Sequence, residues 1–207
     1  LAGYSVNQEG WVYGLELEAN ESSMTGEHTK DKTSSRTFSV KQNEGIGVSA
    51  RIGYTMLDGS VLFGRVGFIK TRFNTFYTIN ESVESYSETE TLTGLRLGLG
   101  LDVPLSERWF WRMESTYTNY ESYNVAAVDF SETFEPEENL LSFGLGWHFD
   151  APEQKATRII IDELNGLYAG VQVGYGTIAA DVSGWHTDGG GTDPDPGPYA
   201  YQSDFAG

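Results

Sequence analysis

The most regular alternation in the sequence is Gly94-Leu95-Arg96-Leu97-Gly98-Leu99-Gly100-Leu101-Asp102-Val103. Its odd-numbered positions are all leucine or valine, whereas its even-numbered positions carry only glycine and charged residues. Successive side chains of a β-strand point to opposite faces of a sheet. The stretch therefore predicts a strand with one apolar face and one face of glycine and charge.

Similar alternation recurs along the chain in segments of about ten residues, separated by polar stretches. The predicted strands are residues 11–20, 45–54, 61–71, 94–103, 109–117, 139–149 and 167–178. An eighth strand is described below. The pattern predicts an all-β antiparallel meander of eight strands.

The composition of the chain excludes several classes of protein. The chain has 207 residues and a net charge of -17, so it lacks the basic face that binding to nucleic acid requires. It has no cysteine, which excludes disulfides and thiolate metal sites. No apolar run approaches the roughly 18 residues of a membrane helix, so a helical membrane protein is excluded.

Two kinds of barrel could use such strands. In a water-soluble barrel the apolar face would fill the inside and the glycine-rich face would meet water, where repeated glycine weakens a strand. In a membrane barrel the apolar face meets lipid, and glycine suits the narrow lumen that eight strands enclose. We therefore predict an eight-stranded up-and-down transmembrane β-barrel, with a soluble barrel carrying an apolar ligand as an alternative.

The charges predicted for the inner face support a closed lumen. Four positive and four negative residues balance one another, as buried charges must if they are to be paired. They are Arg51, Arg65, Arg96, Arg112, Glu16, Glu18, Asp102 and Glu114. Both faces of residues 61–71 carry apolar residues, so the inward direction of Arg65 rests on keeping its charge out of lipid.

The connections alternate in length. Short turns are predicted at residues 7–10, 57–60 and 104–107, and long polar loops at residues 21–41, 74–92, 119–138 and 185–198. Short turns at one end and long loops at the other match the periplasmic and extracellular ends of an outer-membrane barrel. Aromatic residues fall near the short-turn ends, as in an interfacial girdle: Trp11, Tyr54, Trp109, Trp111 and Trp147.

Three segments carry a family resemblance. Ser142-Phe143-Gly144-Leu145-Gly146-Trp147-His148-Phe149 resembles the C-terminal strand signal of bacterial outer-membrane proteins. Leu167-Tyr168-Ala169-Gly170-Val171-Gln172-Val173-Gly174-Tyr175-Gly176 resembles the first strand of the small OmpA/OmpX-like and surface-antigen barrels, and Trp11-Val12-Tyr13-Gly14-Leu15-Glu16 resembles their third. The resemblance implies a bacterial outer-membrane location and contact with the lipid bilayer.

The order of these segments departs from the family, because the terminal signal precedes the segment that resembles the first strand. Residues 203–207 joined head to tail to residues 1–6 would make one strand, the second in the family order. We therefore interpret residues 1–207 as a single, circularly permuted barrel domain. Its connector, residues 150–166, has helix-capping signals at Asp150, Pro152 and Glu153, although an extended linker or a strand through Ile159-Ile160-Ile161 fits as well.

Residues suited to catalysis are few. His148 is predicted to face the lumen, whereas His28 and His186 fall on the long loops, beside serine and aspartate that polar loops supply by chance. Residues 188–196 hold three aspartates but lack EF-hand spacing and a closing glutamate. We predict no enzyme activity and no catalytic, cofactor-binding or metal residue.

Two functions of different classes follow from this architecture. The first is a structural or surface protein, a monomer whose long acidic loops bind ligands outside the cell. The second is a small-solute or ion conduit through the lumen, although eight strands leave no standing aqueous channel. The sequence does not identify a ligand.

Overall fold

The computed structural model describes residues 1–30, 36–79, 84–127, 130–149 and 165–186. These residues form one sheet of ten antiparallel strands. The strands are β1 (Ala2–Gln8), β2 (Trp11–Asn20), β3 (Thr25–Lys30), β4 (Arg36–Thr55), β5 (Val61–Ile79), β6 (Glu84–Pro104), β7 (Trp109–Tyr120), β8 (Tyr123–Ala127), β9 (Phe130–His148) and β10 (Gly166–His186). The predicted all-β class is confirmed.

Eight of the strands close into a ring. The sheet runs β1-β2-β4-β5-β6-β7-β9-β10, and β10 pairs in turn with β1 through the register Ala2↔Ala169. Strands β3 and β8 lie outside the ring and pair only with β4 and β9. The ring confirms the predicted eight-stranded barrel, in which β1 is the eighth strand.

Tight turns join the strands at one end of the barrel. Between β1 and β2, Glu9 and Gly10 both have positive φ, at 52° and 88°, which is the geometry of a type I′ hairpin. Asn7 Oδ1 accepts a hydrogen bond from the Gly10 amide at 3.0 Å. Asp58 supports the next turn by accepting the Ser60 amide at 3.0 Å. These turns fall where short connections were predicted.

The two faces of the strands separate as predicted. Leu95, Leu97 and Leu99 point outward, and Leu99 is 70% exposed to the surroundings of the barrel. Arg96, on the opposite face, is buried in the lumen. The apolar side chains therefore form an outer band, and the lumen takes glycine and charge.

An aromatic girdle surrounds the short-turn end. Trp11 packs edge-on against Tyr54 with ring centroids 5.4 Å apart, and Trp109 packs against Trp147 at 4.8 Å. Rings with a polar edge are favoured where lipid meets water. Four of the five predicted girdle residues thus form contacting pairs at this rim.

Three of the long loops predicted at the other end, residues 21–41, 74–92 and 119–138, are largely strands, so the prediction was wrong for them. Of the fourth, residues 185–198, the structure describes only 185 and 186, which end β10. Strands β4, β5, β6, β9 and β10 have 19 to 21 residues, about twice the 9–11 that cross a membrane. In β6, serine or threonine occupies every second position from residue 85 to residue 93, and threonine favours strands even where both faces are polar. We call the part of the barrel beyond the apolar band the outer extension. It includes β3, β8 and the distal halves of the long strands.

Other predictions lie outside the described residues. They concern residues 150–164 of the connector, the aspartate-rich segment at 188–196 and the proposed half-strand at 203–207. Within the described part of the chain, no helix is long and apolar enough to cross a membrane.

Candidate functional site: the charged lumen

The lumen begins, at the short-turn end, with a small apolar layer. Val12, Val61 and Phe63 form a buried cluster there. The ring of Phe63 lies where a side chain at Gly100 would be, so that glycine makes room for it. Phe110 covers Gly146 in the same way. Repeated glycine therefore admits large rings into a narrow lumen, the role that the alternation predicts.

Glu16 lies above this layer, at the centre of the charged region, and is only 1% exposed. Its carboxylate accepts hydrogen bonds from Arg112 Nη1 at 2.7 Å, Arg51 Nη1 at 3.1 Å and Tyr168 Oη at 2.6 Å. Arg65 Nη1 lies 3.4 Å away. Four strands thus direct donors at one carboxylate, which compensates its burial.

Asp102 forms the second centre. It accepts two bonds from Arg112, at 2.6 Å from Nε and 2.8 Å from Nη2, and a third from Arg51 Nη2 at 2.8 Å. The guanidinium groups of Arg51 and Arg112 also lie over the ring of Phe63, at 4.0 and 4.7 Å. Cation–π contact stabilises two like charges that share this site.

The network continues toward the outer extension. Glu18 accepts bonds from Arg65 Nη2 at 2.8 Å and Arg96 Nη1 at 2.9 Å. Arg96 Nη2 then donates to Glu138 Oε1 at 2.8 Å. The charged residues therefore form one connected chain along the lumen.

Glu114 contacts this chain through Arg65. The distance from Arg65 Nε to Glu114 Oε1 is 2.6 Å, but its angle falls outside hydrogen-bond geometry. The contact is an ion pair by distance, and both side chains are buried. Its position confirms that Arg65 points into the lumen, as its charge predicts.

Glu138 was missed in the sequence, because the predicted strand began one residue later. The structure buries it completely, where it also accepts bonds from Gln42 Nε2 at 2.6 Å and Tyr120 Oη at 2.8 Å. Four arginines therefore meet five carboxylates, a formal charge of -1 rather than the predicted balance. The even-numbered phase of Ser142, Gly144 and Gly146 extends to Glu138 and could have revealed it.

A larger apolar layer closes the lumen beyond Glu138. Its buried members are Met24, Val40, Ile69, Phe73, Leu92, Tyr120, Tyr123, Phe134 and Ile178. Phe73 meets Tyr120 edge-on at 5.0 Å, and Tyr123 stacks on Phe134 at 5.2 Å. The ion-pair network is thus enclosed between two apolar layers.

Of the three histidines, the structure describes the side chain of His148. His148 lies inside the short-turn rim, with its ring 4.9 Å from Phe110 and 5.5 Å from Tyr168. His28 and His186 belong to strands β3 and β10 rather than to loops, which corrects their predicted placement. No group of three or more metal-ligating side chains occurs in the described ranges.

A closed eight-stranded ring with an apolar exterior, an interfacial aromatic girdle and a polar, glycine-lined lumen defines a bacterial outer-membrane β-barrel. The chain belongs to the outer membrane protein beta-barrel domain family, whose profile matches residues 1–149. Its location is accordingly the outer membrane, with the apolar band in contact with the lipid bilayer.

A curated relative supports this assignment. The chain is similar to a 22 kDa outer membrane protein of Rhizobium leguminosarum bv. viciae, with 27% identity over 151 residues. The aligned part covers 72% of this chain and 64% of the relative. No solved structure gives a significant match.

Proposed function

We propose that the protein is a non-enzymatic structural and surface barrel of the outer membrane, of the OmpA/OmpX-like type, that acts as a monomer. The apolar band anchors it, and the outer extension meets ligands outside the cell. One observation carries the proposal: the lumenal charges bind one another and are enclosed between two apolar layers. Such a lumen favours stability over transport.

The absence of enzyme activity is part of the proposal. A general acid, base or nucleophile must reach its substrate. The described carboxylates of the lumen are held by arginines instead, and His148 packs between aromatic rings. These paired and packed side chains support the role of a scaffold anchored in the membrane.

The outer extension supplies the surface role. Exposed carboxylates dominate it, including Glu88, Glu90, Glu121 and Glu135. A ligand that recognises this surface is expected to bind more weakly as salt rises, since exposed charges are screened within about 10 Å at 0.1 M ionic strength. Binding of extracellular ligands to immobilised protein at low and high salt tests this role.

Conductance in planar lipid bilayers separates the surface role from a conduit. We expect the wild-type barrel to give no stable unitary current. The control replaces Phe63 and Phe73 with alanine, which removes one ring from each apolar layer and opens space along the lumen. A stable wild-type current would contradict the surface role and favour the conduit.

We also propose that the chain is a circular permutant of the family order. Strand β10, which resembles the family's first strand, pairs with β9, which carries the terminal signal. On its other side, among the described residues, β10 pairs with β1 as far as Ala169, and the Gly170 backbone exchanges hydrogen bonds with Leu1. A continuation of β1 beyond Leu1 would cover this edge.

A reordered chain tests the permutation. Gly207 is joined to Leu1, and the chain is opened after Phe149, so that the segment resembling the first strand comes first. We expect the same boiling-dependent shift on an SDS gel as for the original chain. Failure of the reordered chain to fold, beside a normally folding original, would contradict the permutation.

A further inference from the structure

Among the side chains that the structure describes, most exposed cations lie in one patch. Eight of the thirteen lysines and arginines have described side chains, and four of these are the buried lumenal arginines. The other four are exposed: Lys41, Lys70, Arg72 and Arg108. Three of them lie together on the outward face of β4 and β5, which we call the cationic patch: Lys41, Lys70 and Arg72. In a protein of net charge -17, this clustering points to an anionic ligand.

The strand register sets the spacing of the patch. Lys70 and Arg72 lie two residues apart on one face of β5, about 7 Å along the strand. Lys41 is the cross-strand partner of Asn74, and this places it diagonally from Arg72 at a Cα spacing of about 7–8 Å. The three cations can thus surround one or two phosphate groups.

The patch lies at the outer edge of the apolar band. Lys70 pairs directly with Ile46, which is 66% exposed, and follows the exposed Phe68 on β5. Arg72 and Lys41 lie beyond this level, toward the outer extension. The short-turn end of an outer-membrane barrel is periplasmic, so the outer extension is extracellular and the patch is level with the headgroups of the outer leaflet.

One acidic residue belongs to the patch. Arg72 Nη1 forms an ion pair with Glu44 Oε1, and both side chains are more than half exposed. The register shift between Gln42 and Gly45 marks a bulge that contains Glu44. Among the described residues, Lys41 and Lys70 have no ion-pair partner. The patch keeps a net positive charge.

We propose that Lys41, Lys70 and Arg72 bind the phosphate groups of a glycolipid in the outer leaflet. Arginine recognises phosphate through two parallel hydrogen bonds, and lysine adds a compact charge. Phe68 and Ile46, directly below the patch, contact the acyl chains of the same lipid. One surface of the barrel therefore presents cations to the lipid headgroup and apolar side chains to the lipid tail.

Native mass spectrometry of the detergent-solubilised protein tests the proposal, with diphosphoryl lipid A, phosphatidylcholine and inorganic phosphate as separate probes. We expect retention of diphosphoryl lipid A in preference to phosphatidylcholine. Replacing Lys41, Lys70 and Arg72 together with glutamine should lower this retention at least about tenfold, because the variant loses all three charges that attract the phosphate groups.

Three single variants sharpen the test. Arg108→Gln removes one exposed cation at the short-turn end and is the control for Lys70→Gln; only the latter should lower retention. Glu44→Gln removes the carboxylate that competes for Arg72 and should raise retention. All three positions are exposed, and a boiling-dependent gel shift checks that each variant is folded.

Three results would overturn the proposal. They are equal retention by the wild type and the triple variant, equal losses in Lys70→Gln and Arg108→Gln, and retention of inorganic phosphate as strong as that of diphosphoryl lipid A. The last result would assign the patch to free phosphate rather than to lipid.

Discussion

Asp102 on β6 and Arg112 on β7 are direct cross-strand partners, joined by two hydrogen bonds of 2.6 and 2.8 Å inside the lumen. The fork of the guanidinium group matches the carboxylate, so the pair fixes the register between two neighbouring strands. Arg112 also donates to Glu16 on β2, across the lumen. One side chain therefore links adjacent and distant strands.

Replacing Arg112 with methionine should destabilise the barrel by about 3–5 kcal/mol, because it leaves Asp102 and Glu16 buried with fewer donors. Denaturant unfolding in detergent, followed by the boiling-dependent gel shift, measures the change. Adding Asp102→Leu should restore part of the lost stability, because it removes the carboxylate that Arg112→Met leaves short of donors. Glu16 keeps Arg51 as a partner at 3.1 Å. A double variant less stable than Arg112→Met alone would contradict this reading of the pair.

Gly100→Ala should destabilise the barrel by about 1–3 kcal/mol, because the added methyl group overlaps the ring of Phe63. Gly64→Ala is the matched control. Its methyl group would meet Leu99 Cδ2 at 3.7 Å, an ordinary contact on the outer face. The difference between the two unfolding midpoints measures the effect of filling the lumen. Equal midpoints would show that Phe63 can move aside without cost.

Leu99→Lys should weaken insertion into lipid vesicles by about 2–4 kcal/mol, because Leu99 is central in the outward apolar row of β6. Leu105→Lys changes the same residue type at a 58% exposed position in a short turn, where the cost should be about 0–1 kcal/mol. Urea titration of folding into vesicles gives both values. Similar costs at the two positions would contradict the assignment of the lipid face.

The raised pKa of Tyr123 predicts that the barrel loses stability at alkaline pH. It belongs to β8 in the outer extension, where burial raises the pKa of its hydroxyl from 10.0 to about 12. Its raised folded-state pKa favours the neutral form, so the contribution is complete below pH 10 and is lost as pH rises through about 12. Tyr123 also shares a 3.0 Å hydrogen bond with Thr75.

The comparison of wild type with Tyr123→Phe isolates this contribution. Unfolding midpoints of both proteins are measured from pH 8 upward, through the pKa values of Tyr123 in the unfolded and the folded states. The gap between the two proteins should be constant below pH 10 and should shrink above it. A constant gap at every pH would place the titration of Tyr123 at its ordinary value.

The sequence predicts the faces of the strands better than their ends. Alternation identifies Leu99 as outward and Arg96 as inward, since each strand must put one face in lipid. It does not locate the ends of β5 and β6, because polar residues such as Thr89 pair as strands beyond the bilayer, where no apolar face marks them. Glu138 was missed because it lies in the polar part of β9, just before the residue at which the apolar alternation begins.

The lumenal site was partly predictable. Charge in the glycine-rich phase indicates which arginines and carboxylates point inward, as Arg96 shows. Which carboxylate pairs with which arginine depends on the curvature and stagger of the closed ring, and the alternation within one strand does not encode these. Tyr168 contacts Glu16 across 152 positions of sequence, and only the three-dimensional closure brings them together.

The position of Glu16 has a consequence for how the barrel assembles. Its partners come from β4, β5, β7 and β10, so a sheet that has joined only some of these strands leaves the carboxylate short of donors. Such an intermediate must either keep water in its interior or bear an uncompensated charge. We therefore expect closure of the ring and expulsion of water to occur as a single cooperative event, with partly paired sheets short-lived on the route to the membrane-inserted state.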